Sequence, residues 1–170
     1  QPGDILGGSA IGVIEESADP LFPVGTRVLS QMGWRSHFVA KPADADLVCV
    51  GDEDGIPAEW LLGLLGLPGV TAWIGIERVL KPVAGETIFV SGGAGPVGSL
   101  ACQLAKLRGA RVLGSASTAD KAKWLVTEIG VDAVFNYRTQ DLDAFLSEQV
   151  PEGVDCYFDN VGGTMLETFL

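Results

Sequence analysis

The chain has 170 residues, 47% of them hydrophobic, and carries 22 acidic against 11 basic residues for a net charge of −11. A mean hydropathy of +0.30 excludes a disordered chain, which needs lower hydrophobicity, and the acidic balance argues against a nucleic-acid partner, because phosphate backbones attract basic surfaces. Every apolar run meets Gly, Pro or a charge well before the ~18 residues of a membrane span, so no membrane association is expected.

The sequence starts at Gln1 without Met and stops at Leu170 inside a helical pattern, so it reads as a fragment of a longer protein. Residues 1–15 carry no basic start and include Asp4, which does not fit a secretory signal. Cys49, Cys102 and Cys156 are far apart, no C-x-x-C occurs and His37 is the single histidine. A structural zinc site of the usual ligand spacing is therefore not expected. Each cysteine reads as a small buried hydrophobe, and their odd, modest number fits a reducing, cytoplasmic compartment.

In chain order, residues 1–50 read as β-rich. Ile11, Val13 and Ile14 lie in a glycine-punctuated run. Gly25–Ser30 and Ser36–Ala40 look like short strands, with Pro20, Pro23 and Pro42 at turns. Residues 51–70 form a connector with one short helix over Pro57–Leu64. Val70, Trp73, Ile74, Ile76 and Leu80 have helical spacing.

From residue 85 strands and helices alternate. The expected strands are Ile88–Ser91, Arg111–Ser115, Ala133–Asn136 and Val154–Phe158. The expected helices are Pro96–Arg108, Thr118–Ile129, Asp141–Val150 and a last one from Thr164. Pro96 suits a first helical turn, where its missing N–H costs nothing. Ser117-x-x-Asp120 reads as a capping box and Gly130 as a helix stop. Such alternation implies an α/β fold with a parallel, doubly wound sheet.

Gly93-Ala94-Gly95-Pro96-Val97-Gly98 lies between an expected strand and an expected helix. That context turns a common glycine pattern into a dinucleotide-binding fingerprint: the glycines let backbone approach a pyrophosphate, and the helix N-terminus offers free N–H groups. A tight turn without ligand is the alternative. In NAD-binding proteins an acid about 20 residues further on holds the ribose hydroxyls. No acid occurs between Gly93 and Asp120, and the small, neutral Ser115 and Ser117 leave room for a 2′-phosphate. Lys121 falls in the first turn of the next helix, where a cation opposes the helix dipole at about 0.3–1 kcal/mol. A phosphate contact explains it, and a solvated surface lysine is the alternative. Tyr137 and Arg138 follow the third strand and can cover the same cofactor end, or be an exposed loop aromatic and base. Asp159-Asn160-Val161-Gly162-Gly163 follows the fourth strand, at the end of a parallel sheet that carries ligands. Asn160 offers both a donor and an acceptor there, unless the segment is a plain turn.

Together, Leu67-Pro-Gly-Val-Thr-Ala-Trp73, Ala84-Gly-Glu-Thr-Ile-Phe-Val-Ser91, Ala94-Gly-Pro-Val-Gly98, Val134-Phe-Asn-Tyr-Arg-Thr139 and Asp155-Cys-Tyr-Phe-Asp-Asn-Val-Gly-Gly163 resemble the zinc-independent medium-chain dehydrogenase/reductases. Within them the chain is most similar to the group of prostaglandin reductases, also called leukotriene hydroxydehydrogenases and alkenal/one oxidoreductases. Gly3-Asp-Ile-Leu-Gly-Gly8, Gly33, Trp34 and His37 fit that group as well. The resemblance implies part of a GroES-like β-rich catalytic domain with its connector over residues 1–66 and part of a Rossmann NADP-binding domain over 67–170. It implies an active site between the two, NADPH as cofactor, and reduction of a carbon–carbon double bond conjugated to a ketone or aldehyde.

Carried over by motif, Gly95 and Gly98 meet the pyrophosphate, Lys121 and Tyr137 the adenosine phosphate end, and Asn160 the nicotinamide side; Gly93, Pro96, Val97 and Ser117 are expected cofactor-binding residues beside them. Zinc-dependent relatives carry a Gly-His-Glu motif. The comparable Gly7-Gly-Ser-Ala-Ile-Gly12 offers no ligand, so metal-free hydride chemistry is expected. Pro96 departs from the small aliphatic residue common in the family. Family members are about twice this length, and the tyrosines that line their pocket lie beyond Leu170, so no catalytic residue is assigned here. The resemblance also suggests a homodimer for the full-length protein and weak NADPH binding without turnover for residues 1–170 alone. A quinone reductase of the same superfamily and a non-catalytic NADPH-binding protein are the competing readings.

Overall fold

The computed structural model describes residues 6–51 and 55–170; Gly3, Asp4 and Ile5 of the early motif lie outside them. The described residues fall into two compact units, one ending at Leu62 and one running Gly63–Leu170.

The first unit is an antiparallel sheet of three short strands in the order β1 (Ala10–Val13), β2 (Arg27–Ser30) and β3 (Val48–Cys49). Ile11 pairs with Leu29, and Val28 with Cys49. The expected strand Ser36–Ala40 does not form. Both edges of β2, the strand before it, are already taken by β1 and β3, so its backbone finds no ladder there. The segment is irregular, with Val39 fully exposed and the Arg35 guanidinium 5.8 Å from the Phe38 ring. The expected helix over Pro57–Leu64 shortens to one 3-10 turn, Ala58–Leu61.

The second unit opens with α1 (Leu67–Trp73), which continues as a wider π-helical stretch, Ile74–Leu80. Gly75 lets this stretch lie against β7: a Cβ there would come 2.3 Å from the Phe158 ring. Then follow β4 (Thr87–Val90), α2 (Pro96–Leu107), β5 (Arg111–Ala116), α3 (Ala119–Trp124), β6 (Ala133–Asn136), α4 (Leu142–Gln149), β7 (Cys156–Phe158) and α5 (Gly163–Thr168). α3 runs on as a π-helical turn, Leu125–Ile129, which Gly130 ends in the left-handed conformation at φ 78°. The four strands are parallel, in the order β6-β5-β4-β7.

Side chains alternate across a strand, and this alternation builds two cores. Ile88, Val90 and Val112 face Ala72, Ile76, Ala101, Ala105 and Leu125 of the helical layer formed by α1, α2 and the α3 segment. Phe89, Leu113 and Phe135 face Phe145 of α4, with Met165 of α5 and Phe169 just beyond it packed alongside. The sheet is therefore covered on both faces, which is the condition for near-continuous apolar strands such as Ile88-Phe89-Val90.

Candidate functional site

The carboxyl ends of β4, β5, β6 and β7 are followed by residues 91–95, 117–118, 137–141 and 159–162. The sheet order brings these four segments to one edge of the second unit. Every residue expected to touch a cofactor belongs to them or to the helix turn that follows.

The glycine turn closes on the first turn of α2. Gly95 is its N-cap in extended geometry and Pro96 its first residue. Gly98 is buried and has no room for a side chain: a Cβ would lie 2.3 Å from the Gly92 carbonyl oxygen and 2.8 Å from Gly93 Cα. Gly93 lies against β5, with Gly114 Cα 3.4 Å from the position of a Cβ. The turn is held from inside. Gly92 N–H donates to Ser115 Oγ (2.9 Å), Gly93 N–H to the Ser115 carbonyl (2.9 Å) and Gly95 N–H to the Gly92 carbonyl (2.9 Å). The first helical bond runs from Ser99 N–H to the Gly95 carbonyl. The N–H groups of Ala94, Val97 and Gly98 thus have no acceptor among the described residues. A backbone cradle with orphan donors at the positive end of a twelve-residue helix fits a pyrophosphate.

Past β5 the structure corrects two readings. Ser115 does not open space for a phosphate: it is fully buried and its hydroxyl braces the turn. The helix cap is Thr118, not Ser117. The Thr118 backbone is extended and its Oγ1 accepts from Lys121 N–H at 3.3 Å. A cap must be the last residue before helical backbone begins, and here that residue lies one position later. The half-buried Ser117 hydroxyl is left without a hydrogen bond among the described residues. Lys121 is exposed in the first turn of α3. Tyr137 is 46% exposed just after β6, its N–H donating to the Ala116 carbonyl at 3.3 Å. Arg138 is exposed, its N–H donating to Asn136 Oδ1.

After β7 an exposed carboxylate organises a loop. Asp159 Oδ1 accepts from Ser91 Oγ (2.9 Å), Tyr157 Oη (2.8 Å) and Val161 N–H (3.1 Å), and Gly162 N–H reaches Oδ2 at 3.0 Å. Partial desolvation pushes its carboxyl up, but the Gly162 N–H, the Tyr157 hydroxyl, the Val161 N–H and the Ser91 hydroxyl outweigh it and hold the pKa at about 2. Burial pushes the Tyr157 phenol up to about 12, with the Asp159 carboxylate adding to it against the Ser91 hydroxyl. Asn160 donates from Nδ2 to the Ser91 carbonyl (2.8 Å) and from its backbone to Ser91 Oγ (2.7 Å). Its Oδ1 accepts nothing among the described residues. The buried Ser91 is the part that sequence reasoning missed, as the bracing role of Ser115 is the part it misread. A small polar residue at the end of an apolar strand, just before a glycine loop, is the signal that marks Ser91.

Elsewhere, an apolar groove of about 430 Å³ lies between α1 and the later turns of α2, lined by Leu65, Val70, Trp73, Leu104 and Leu107. It is not at the glycine turn. In the first unit Trp34 is exposed, and His37 Nε2 lies 3.5 Å from Glu15 Oε1, both side chains in solvent. Of the cysteines only Cys102 is fully buried. Cys156 is partly buried and Cys49 is exposed, on an edge strand of two residues whose side chains are both exposed. Among the described residues no group of three or more His, Cys, Asp or Glu side chains is placed to hold a metal ion, and no helix is long and apolar enough to cross a membrane.

Two family models match: one described as a zinc-binding dehydrogenase over residues 96–170, the other as the N-terminal domain of an oxidoreductase over residues 1–48. The chain is similar to prostaglandin reductase 1 of Oryctolagus cuniculus, 38% identical over 169 residues that cover 99% of this chain and 48% of that protein. It is 41% identical over 170 residues to a 2-alkenal reductase (NADP(+)-dependent) of Nicotiana tabacum, covering 99% of this chain and 49% of that one. Its structure is similar to the crystal structure of CurA in complex with NADPH from Vibrio vulnificus, with a TM-score of 0.82, 31% identity, and 96% of this chain and 48% of that one covered. The chain spans about half the length of the curated relatives it matches.

Proposed function

The chain belongs to the medium-chain dehydrogenase/reductase family, and from that premise we propose that it is part of an NADPH-dependent oxidoreductase that reduces the carbon–carbon double bond of α,β-unsaturated ketones and aldehydes. The observation that carries the reading is the glycine turn at the carboxyl edge of the parallel sheet, with the uncommitted N–H groups of Ala94, Val97 and Gly98. Residues 67–170 are then the cofactor-binding part and residues 1–66 a portion of the GroES-like catalytic domain with its connector.

Gly93, Gly95, Pro96, Val97 and Gly98 form the pyrophosphate cradle. Lys121, aided by the free Ser117 hydroxyl and Tyr137, takes the 2′-phosphate. No acid stands in the β5–α3 connection to repel that phosphate. Asn160 keeps its carbonyl oxygen for the nicotinamide side. When bound, NADPH supplies a hydride to the β-carbon of the enone, and the α-carbon takes a proton from solvent or a side chain. The chain's own residues bind and orient. Two supports favour the enone substrate class over a plain alcohol: the similarity to a prostaglandin reductase and the similarity to an alkenal reductase. A cytoplasmic location and a homodimer of the full-length protein complete the reading.

The test is to titrate the full-length protein with NADPH and NADH, then to follow NADPH oxidation with a 15-oxoprostaglandin, a 2-alkenal and a quinone. Preference for NADPH with turnover of the enone and the enal is expected. Equal affinity for the two cofactors sinks the phosphate argument. Turnover of the quinone alone makes the protein a quinone reductase, and tight NADPH binding without any turnover makes it a non-catalytic binding protein.

A further inference from the structure

Ser91 lies one residue past β4, fully buried, and ties two segments together that are 68 and 69 residues apart in sequence. Its N–H extends the ladder to the Phe158 carbonyl (3.0 Å). Its Oγ donates to Asp159 (2.9 Å) and accepts from Asn160 N–H (2.7 Å), while its carbonyl accepts from Asn160 Nδ2 (2.8 Å). The next residue, Gly92, has φ +59°, and a Cβ there would touch Asn160 and Val161 at 3.5 and 3.6 Å. The 159–162 loop therefore rests on the start of the glycine turn, and Ser91 fixes its height and rotation. Ser115, the matching buried serine on β5, accepts from Gly92 N–H of the turn and donates to Met165 Sδ of α5 (3.9 Å), with no bond to the 159–162 loop among the described residues.

The sheet order decides which part of a dinucleotide meets this loop. From β4 the chain goes to β5 and β6 on one side and returns to β7 on the other, so the switch point lies between β4 and β7. With the pyrophosphate on the N-terminus of α2, the adenosine half extends to the β5 side, where Ser117, Lys121 and Tyr137 stand. The other half extends over β7 and the 159–162 loop.

We propose that Ser91 is a positioning residue for the nicotinamide half of the cofactor: its buried hydroxyl sets the 159–162 loop, and through it Asn160, against the phosphate-binding turn. The proposal rests on the NADPH reading given above. It is tested in the full-length protein with two probes, NADPH followed by fluorescence and 2′-phospho-ADP-ribose followed by calorimetry. The second contains the pyrophosphate and adenosine end but no nicotinamide. Ser91→Ala raises the Kd for NADPH about tenfold, the effect of one buried donor left unpaired, and leaves that for 2′-phospho-ADP-ribose within about twofold. Ser115→Ala, which loosens the turn itself, weakens both probes. Asp159→Asn changes an exposed side chain and leaves Ser91 in place, so it carries the test if Ser91→Ala fails to fold, with the same split between probes. Equal loss on both probes, or loss on neither, in Ser91→Ala or Asp159→Asn overturns the proposal. Failure of the parent protein to bind either probe overturns the cofactor reading itself and the proposal with it.

Discussion

Gly98→Ala sets two local effects against each other. In an α-helix alanine is favoured over glycine by about 1 kcal/mol, so a reading of α2 as a helix alone predicts a stabilised protein. The structure predicts the reverse. The new Cβ would stand 2.3 Å from the Gly92 oxygen, 2.8 Å from Gly93 Cα and 2.9 Å from the Gly92 carbonyl carbon, all inside 3.0 Å and all backbone. No side chain can rotate away, so α2 and the turn must separate. Overpacking of this kind costs typically about 1–3 kcal/mol, and here it falls on a turn pinned by Ser115 on the other side, so the clash exceeds the helical gain. The expected result is a melting temperature lowered by a few degrees. NADPH affinity falls about tenfold or more as the N–H groups of Ala94, Val97 and Gly98 move apart. Thermal unfolding by circular dichroism and a fluorescence titration with NADPH measure the two. Gly95→Ala is the control: φ is −83° and the one close contact is 3.2 Å, so its stability stays near the parent's. A Gly98→Ala protein that melts at or above the parent temperature and binds NADPH unchanged would refute the close-packing argument.

Lys121→Ala removes a cation from the first turn of α3 and is expected to stabilise the protein by ~0.3–1 kcal/mol while bringing NADPH affinity down toward that of NADH; a variant that keeps the parent's cofactor preference assigns Lys121 to solvent. Because the Asp159 carboxyl is held at about 2, below its ordinary value of 3.8, its contribution to stability is full above about pH 4 and disappears as pH falls through 2. The melting-temperature gap between the parent and Asp159→Asn should therefore be constant above pH 4 and close on acidification, and a gap that widens in acid contradicts the hydrogen-bond set around Asp159. Maleimide labelling of the native protein with peptide mapping should find Cys49 modified first. Cys102, buried and with its thiol pushed up to about 12 by burial, stays unmodified until unfolding. Rapid modification of Cys102 would show that the α2 layer opens.

Much of the second unit was legible in the sequence because its signals are local. Ala133–Asn136 has the expected bounds, and Pro96–Leu107 ends one residue before the expected stop. Apolar runs, a proline at a first helical turn and a glycine stop at Gly130 act within a few residues. The first unit was harder. Ser36–Ala40 has strand composition but no partner, while the two-residue strand Val48–Cys49 exists because β2 offers it an edge. Cap placement also failed by one residue: Ser117 and Thr118 are both good caps, and backbone geometry alone distinguishes them.

By itself the sequence determined that a strand, a glycine turn and a helix follow one another at residues 88–108, and that no acid occurs between Gly93 and Asp120, next to which Lys121 stands. Glycine, proline and charge carry those meanings wherever the chain goes. Only the tertiary structure decided what the serines do. Ser115 reads as open space for a phosphate and is in fact the inner brace of the turn. Ser91 reads as the end of a strand and is in fact the tie to Asp159 and Asn160. Those bonds cross 23 and 68 or 69 residues of sequence, and the register between parallel strands, a property of the packed sheet, is what brings the partners within reach.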